Sequence, residues 1–184
     1  MILTQRLELT NMGIKDVALV RESLNDPMVQ NQIIGIPFYT QVSAWYQSKP
    51  LNALYLIARD KITQDMVGVM ILQQFSTTLD IGGWVCERYR HKGYVKEAYE
   101  AVMKVAKECG THKLTANCIT TNERARELIT TMGFTQCCVL REHAKIGDQF
   151  VDVVLYEKLL EDGIPVIRNT AGEPSQGMTI PTLS

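Results

Sequence analysis

Arg90-His91-Lys92-Gly93-Tyr94-Val95 is the stretch that most restricts what this chain can become. It follows an apolar run, Ile81-Gly82-Gly83-Trp84-Val85, and opens a segment with Val95, Ala98, Tyr99, Val102, Ala106 and Cys109 at helical spacing. Gly110 stops that segment as a residue just past a helix end does. A strand that turns through a basic corner into a helix leaves the first backbone N–H groups without intrahelical acceptors. The helix dipole adds partial positive charge at the same place. Gly93 has no Cβ, so an anion can approach the main chain there. Taken alone, the corner fits either a phosphate site or a plain turn. Leu114–Ile119 reads as the next strand, so the unit is a right-handed crossover joining two parallel strands.

The flanking elements follow from the same patterns. Arg6–Thr10 alternates as a half-buried strand. Ile14–Leu24 carries Val17, Val20 and Leu24 at helical spacing. Asp26-Pro27 caps and starts a second helix, and Gly35–Phe38 is a loop. Thr40 caps a third short helix through Trp45 and Tyr46. The residues Ile36, Phe38, Tyr39, Trp45 and Tyr46 serve either as core or as the lining of a substrate groove. Ala53–Ala58 and Val67–Leu72 form an antiparallel hairpin across the polar turn Lys61–Asp65, and Ile81–Val85 is the next strand. Thr121-Asn122 caps a helix over Glu123–Thr131, which Gly133 ends. Phe134–Arg141 and Gln149–Leu159 are strands joined by the loop Ala144–Asp148. Residues 161–184 lack periodicity and read as an extended or disordered tail behind a domain at 1–160.

Composition excludes several classes. A net charge of −1 gives no field that would draw the chain to nucleic acid or an anionic membrane. No apolar run is long enough to span a bilayer, and the N-terminus lacks a signal peptide's apolar core. Five cysteines without a Cys-x-x-Cys pair suit reduced core thiols in a cytoplasmic protein. His91, His112 and His143 are scattered, and no metal-ligand cluster is present, so no metal is expected.

In this order the elements resemble the GNAT acetyltransferases over roughly residues 3 to 160. Three stretches carry the likeness. Arg90-x-x-Gly93-x-Val95 resembles the family's acyl-CoA loop, with Val95 where Gly or Ala is usual. Asn122-Glu123-Arg124-Ala125-Arg126 followed by Met132-Gly133-Phe134 resembles the family's Asn-x-x-Ser helix and its Gly-Phe ending, with Ala125 in place of Ser. Ile81-Gly82-x-Trp84, with Arg141-Glu142-His143 and Asp152-Val153, resembles the subfamily that acetylates ribosomal-protein alanine N-termini and related amines.

The resemblance implies an α+β fold: a mixed, mostly antiparallel twisted sheet flanked by helices. It implies acetyl-CoA as acyl donor and a primary amine, on a peptide N-terminus or a small molecule, as acceptor. Backbone N–H groups of Arg90, His91, Lys92, Gly93, Tyr94 and Val95 would hold the pyrophosphate, with the side chains of Arg90, Lys92 and Lys96 adding charge. Trp84, Val85 and Cys86 would pair with the pantetheine arm as an added strand, an N–H near Val85 polarising the thioester. In this fold the strand through Trp84 would splay from Leu114–Ile119 and leave a gap for the thioester, with Asn122 and Arg126 approaching from the opposite wall. Asp80, placed just before the strand, and Glu142 are the candidate bases, and Tyr156 is the candidate acid for the leaving thiolate. A non-catalytic binding protein of the same fold stays open, as does a homodimer through the final hairpin.

Overall fold

The structure is a computed structural model and describes residues 1–34 and 41–160. The loop at 35–38, the Thr40 cap and the tail at 161–184 lie outside the described residues. The chain builds one eight-stranded sheet: β1 (Ile2–Leu3), β2 (Leu7–Asn11), β3 (Ala53–Asp60), β4 (Met66–Phe75), β5 (Thr78–Val85), β6 (Lys113–Ile119), β7 (Thr135–Ile146) and β8 (Gln149–Leu159). Their order across the sheet is β1-β2-β3-β4-β5-β6-β8-β7. Neighbours are antiparallel except β5 and β6, which run parallel. The helices are α1 (Val17–Ser23), α2 (Pro27–Gln32), α3 (Val42–Gln47), α4 (Tyr94–Glu108) and α5 (Glu123–Thr131). The expected mixed, mostly antiparallel sheet with flanking helices is the fold observed.

Side chains alternate across a strand, so β3 feeds two cores. Leu56 and Ala58 join Leu79, Ile81, Leu114 and Cys118 under α4 and α5. Tyr55 and Ile57 join Val69 and Trp84 under α1, α2 and α3. Ala98, Val102 and Ala106 of α4 are buried at one-turn spacing, as the sequence pattern predicts, and Met103 joins them. Asp26 caps α2 by accepting the Met28 N–H at 2.9 Å, with Pro27 at the first helical position. Asn122 caps α5 by accepting the Ala125 N–H at 3.1 Å.

Several expectations need correction. β1 pairs with β2 through Ile2↔Leu9, a two-residue strand too short to show alternation. The helix expected from Ile14 opens as a 3-10 turn over Ile14–Asp16, with Ile14 exposed. β7 continues to Ile146, so the turn shrinks to Gly147 and Asp148; Ala144, Lys145 and Ile146 pair with Val151, Phe150 and Gln149. Asp80 is not ahead of its strand. It lies inside β5, paired with Gln73 on one side and Thr115 on the other. The thiols are not all core: Cys118 is buried, Cys86 half-buried, and Cys109, Cys137 and Cys138 are exposed.

Candidate active site

The sheet splits between β5 and β6. Their register covers Thr78↔Lys113, Leu79↔Leu114 and Asp80↔Thr115 and then stops. Past that point β5 stays paired with β4 to the end, and β6 stays paired with β8. Two glycines hold β5 against β4. A Cβ on Gly83 would stand 2.1 Å from the Val69 carbonyl oxygen, and one on Gly68 would stand 2.3 Å from that of Trp84. Gly83 also sits at φ +139°, a conformation side chains resist. A cavity of about 510 Å³ occupies the split and reaches both faces of the sheet. Trp45, Tyr55, Ile71 and Gln73 line it on the α1–α3 side. Tyr94, Val95, Ala98, Cys118, Ala125 and Ile129 line it on the α4–α5 side.

The basic corner opens onto this cavity at Tyr94 and Val95. His91 (φ 61°) and Gly93 (φ 78°) turn the chain through left-handed conformations, and α4 begins at Tyr94. The first N–H groups of this 15-residue helix have no acceptor within it. Neighbouring side chains brace the corner. Arg6 donates to the Lys92 carbonyl at 2.9 Å, lies 4.1 Å over the Tyr94 ring and pairs with Glu97 at 2.7 Å. Tyr94 donates to Asp60, and Tyr89 to Asp65, each at 2.9 Å, tying the β3–β4 turn to the corner. Burial would raise the Glu97 carboxyl, but hydrogen bonds from Thr4 and from the Arg6 backbone and guanidinium outweigh it and hold the carboxyl below its usual range.

The basic side chains of the corner are spread among local partners. Arg90 is ion-paired with Asp26 and donates to the Val85 carbonyl at 3.3 Å, so its charge is largely neutralised within the protein. Lys92 places its ammonium 5.6 Å over the Tyr89 ring. Lys96 lies 3.8 Å from Glu100 on the helix surface. His91 is exposed, 3.4 Å from Arg124. Arg6 escaped the sequence reading because 86 residues separate it from the carbonyl it holds, and nothing in local spacing signals that pairing.

On β5 the three expected pantetheine contacts divide. The Cys86 N–H donates to the Val67 carbonyl at 2.8 Å, and its own carbonyl accepts from Tyr89 at 2.9 Å. Both backbone groups of Cys86 are therefore engaged within the protein. Trp84 is buried among α1–α3, its indole N–H donating to Ser23 at 3.0 Å. Hydrogen-bonding direction alternates along a strand, so Cys86 turned toward β4 leaves the Val85 N–H facing the split.

The titratable groups sort by face. Asp80 and Thr115 are register partners on the α1–α3 face, and the Thr115 hydroxyl donates to Asp80 at 2.7 Å. Burial raises the Asp80 carboxyl above its ordinary value, with the Thr115 hydrogen bond opposing. Tyr99 also lines the cavity, and its phenol is pushed up by burial and by the Asp80 charge. Tyr156 is buried on the α4–α5 face opposite Ala116, and Arg126 donates to its hydroxyl at 3.4 Å and to the Thr120 carbonyl at 3.3 Å. Asn122 lines the cavity, whereas Tyr156 and Arg126 are not part of its lining. Glu142 is exposed on the irregular stretch of β7, its N–H donating to Asp152 at 2.8 Å, and is not part of the lining. Burial pushes the Cys118 thiol up to about 11, against the pull of Arg126.

Among the described residues no group of three His, Cys, Asp or Glu stands ready for a metal ion, and no helix is long and apolar enough to cross a membrane. No curated sequence matches the chain as a relative. Solved structures share its fold. An acetyltransferase of the GNAT family from Bacillus anthracis superposes with a TM-score of 0.75 at 23% identity, covering 86% of this chain and 97% of its own. The ribosomal-protein-S5-alanine acetyltransferase from Vibrio fischeri gives 0.72 at 15% identity, covering 89% and 98%. The spermidine N-acetyltransferase from Vibrio cholerae, in complex with CoA and spermine, gives 0.73 at 14%, covering 84% and 95%. The family model for the acetyltransferase (GNAT) domain matches residues 6–135, and the chain belongs to that family.

Proposed function

We propose that this protein moves the acetyl group of acetyl-CoA to a primary amine by direct attack, with donor and acceptor bound on opposite faces of the sheet. The observation that carries this reading is the cavity through the β5–β6 split, lined from both cores. The N–H groups at the start of α4 bind the pyrophosphate, with the helix dipole behind them. The Val85 N–H hydrogen-bonds the thioester carbonyl and takes the charge that develops on its oxygen. Asn122 borders the donor side.

The amine arrives as an ammonium, and Asp80, directly or through a water, removes its proton. Its nitrogen forms the C–N bond as the C–S bond breaks, and the sulfur leaves with the electron pair. The thiolate takes a proton from solvent at the cavity mouth to become the thiol; Tyr156, the acid expected from the sequence, is buried on the donor face outside the cavity lining, with Arg126 at its hydroxyl. Cys118 argues against a covalent acetyl-cysteine route, because a thiol near 11 stays protonated at neutral pH. The test is twofold. Acetyl-CoA raises the melting temperature, since a ligand bound only by the native state stabilises it. With amines present, free CoA thiol accumulates in step with the acetylated amine. No shift at millimolar acetyl-CoA, or thiol release without acetylated amine, overturns the reading.

A further inference from the structure

Building on that reading, we infer the acceptor's chemical class: a single primary amine carried on a flat apolar body. Strand alternation sets Asp80 and Gly82 on the α1–α3 face, at the acceptor end of the cavity. Asp80 is the one charged side chain among the described residues lining the cavity. One carboxylate neutralises one ammonium, and a second ammonium brought into the chamber loses its hydration with nothing to replace it.

The rest of the wall fits a planar group. Trp45 and Tyr55 stack with centroids 4.4 Å apart and planes 8° from parallel. Tyr55 covers one face of the indole, and Trp45 is half-buried and borders the cavity. Ile33 and Ile71 complete an apolar surround. Offset stacking on the indole adds to simple burial of a ring. A cation gains little here: the Lys49 ammonium already lies 5.8 Å over the Tyr55 ring and repels another.

Two sources share this chemistry, a small arylalkylamine and the aromatic first residue of a peptide. The experiment measures CoA release and acetylated product with 2-phenylethylamine, butylamine, spermidine, kanamycin, and peptides beginning with Phe or Ser. The expected result is kcat/KM for 2-phenylethylamine or the Phe-first peptide about tenfold or more above butylamine, spermidine, kanamycin and the Ser-first peptide. Which of those two leads identifies the source. Trp45→Ala is expected to raise KM for the aromatic amine by a similar factor while the melting shift with acetyl-CoA persists. Spermidine or kanamycin as the best acceptor, or an aromatic amine no better than butylamine, overturns the inference and leaves the acetyltransferase reading standing. Absence of any acetyl-CoA shift removes both.

Discussion

Asp80 is under two opposed demands. Burial favours its neutral form, whereas proton abstraction requires the ionised one. A folded-state value above the unfolded one means that folding favours protonated Asp80. That contribution is present below the unfolded value and is lost as pH rises through the folded value. At neutral pH the ionised carboxylate therefore costs stability. Asp80→Asn keeps a partner for Thr115 and removes the charge. The expected outcome is a higher melting temperature at neutral pH, a gain that disappears in acid, and a loss of turnover of about 10²–10⁴-fold. The acid limb of the wild-type kcat/KM profile should lie above the usual carboxylate range near 4, and the variant should lack it. Paired melting curves and a pH–rate series decide this; an unchanged turnover removes Asp80 from the chemistry. Position 80 was legible in the sequence only as an acid near a strand. The hydrogen bond that places it at the mouth of the split depends on Thr115, 35 residues on.

The strand–corner–helix element was the most legible part of the chain, because period-3.6 burial and one glycine are local signals. What could not be read was which basic side chains would be free. Arg90 meets Asp26, a helix cap in another part of the sequence, and Arg6 reaches the corner from the first strands. On the proposed reading the main chain, rather than the side chains, is then the principal anion binder. Gly93→Glu should abolish the acetyl-CoA melting shift, since it sets a carboxylate against the phosphates and strains a residue at φ 78°. Titration by thermal shift checks it, and a retained shift places the cofactor elsewhere. The glycines of the split separate packing from function. Gly68→Ala drives a Cβ to 2.3 Å from the Trp84 oxygen and should destabilise by more than ~1 kcal/mol. Gly82→Ala meets nothing within 4 Å, so stability should hold. Gly82 borders the cavity, however, and turnover should fall as the added methyl intrudes on the acceptor. Melting temperatures and rates for the pair test this; a stability loss at Gly82 equal to that at Gly68 contradicts it.

At the scale of the whole molecule, one sheet separates two cores and one break in the sheet joins them. Alternation along single strands announced the sheet, whereas the break followed only from the family resemblance, because no local spacing marks where β5 keeps β4 and β6 keeps β8. The N-terminal strands are fastened to α4 by Thr4, Arg6 and Glu97, so the donor corner belongs to the core under α4 and α5. The chamber proposed for the acceptor belongs to the core under α1–α3. Binding one substrate need not wait for the other to leave, which distinguishes this layout from a shuttle through an acetylated residue. Initial rates measured while both substrates are varied should give reciprocal plots that converge, the pattern of a ternary complex. Parallel plots, with an acetylated protein caught by mass spectrometry after mixing with acetyl-CoA alone, are the signature of a covalent relay. Cys118 is the thiol such a relay would use, and its burial keeps it protonated. Cys118→Ala should therefore leave the convergent pattern intact and turnover within a few-fold of wild type, whereas loss of activity with parallel plots in the parent would move the chemistry onto that sulfur.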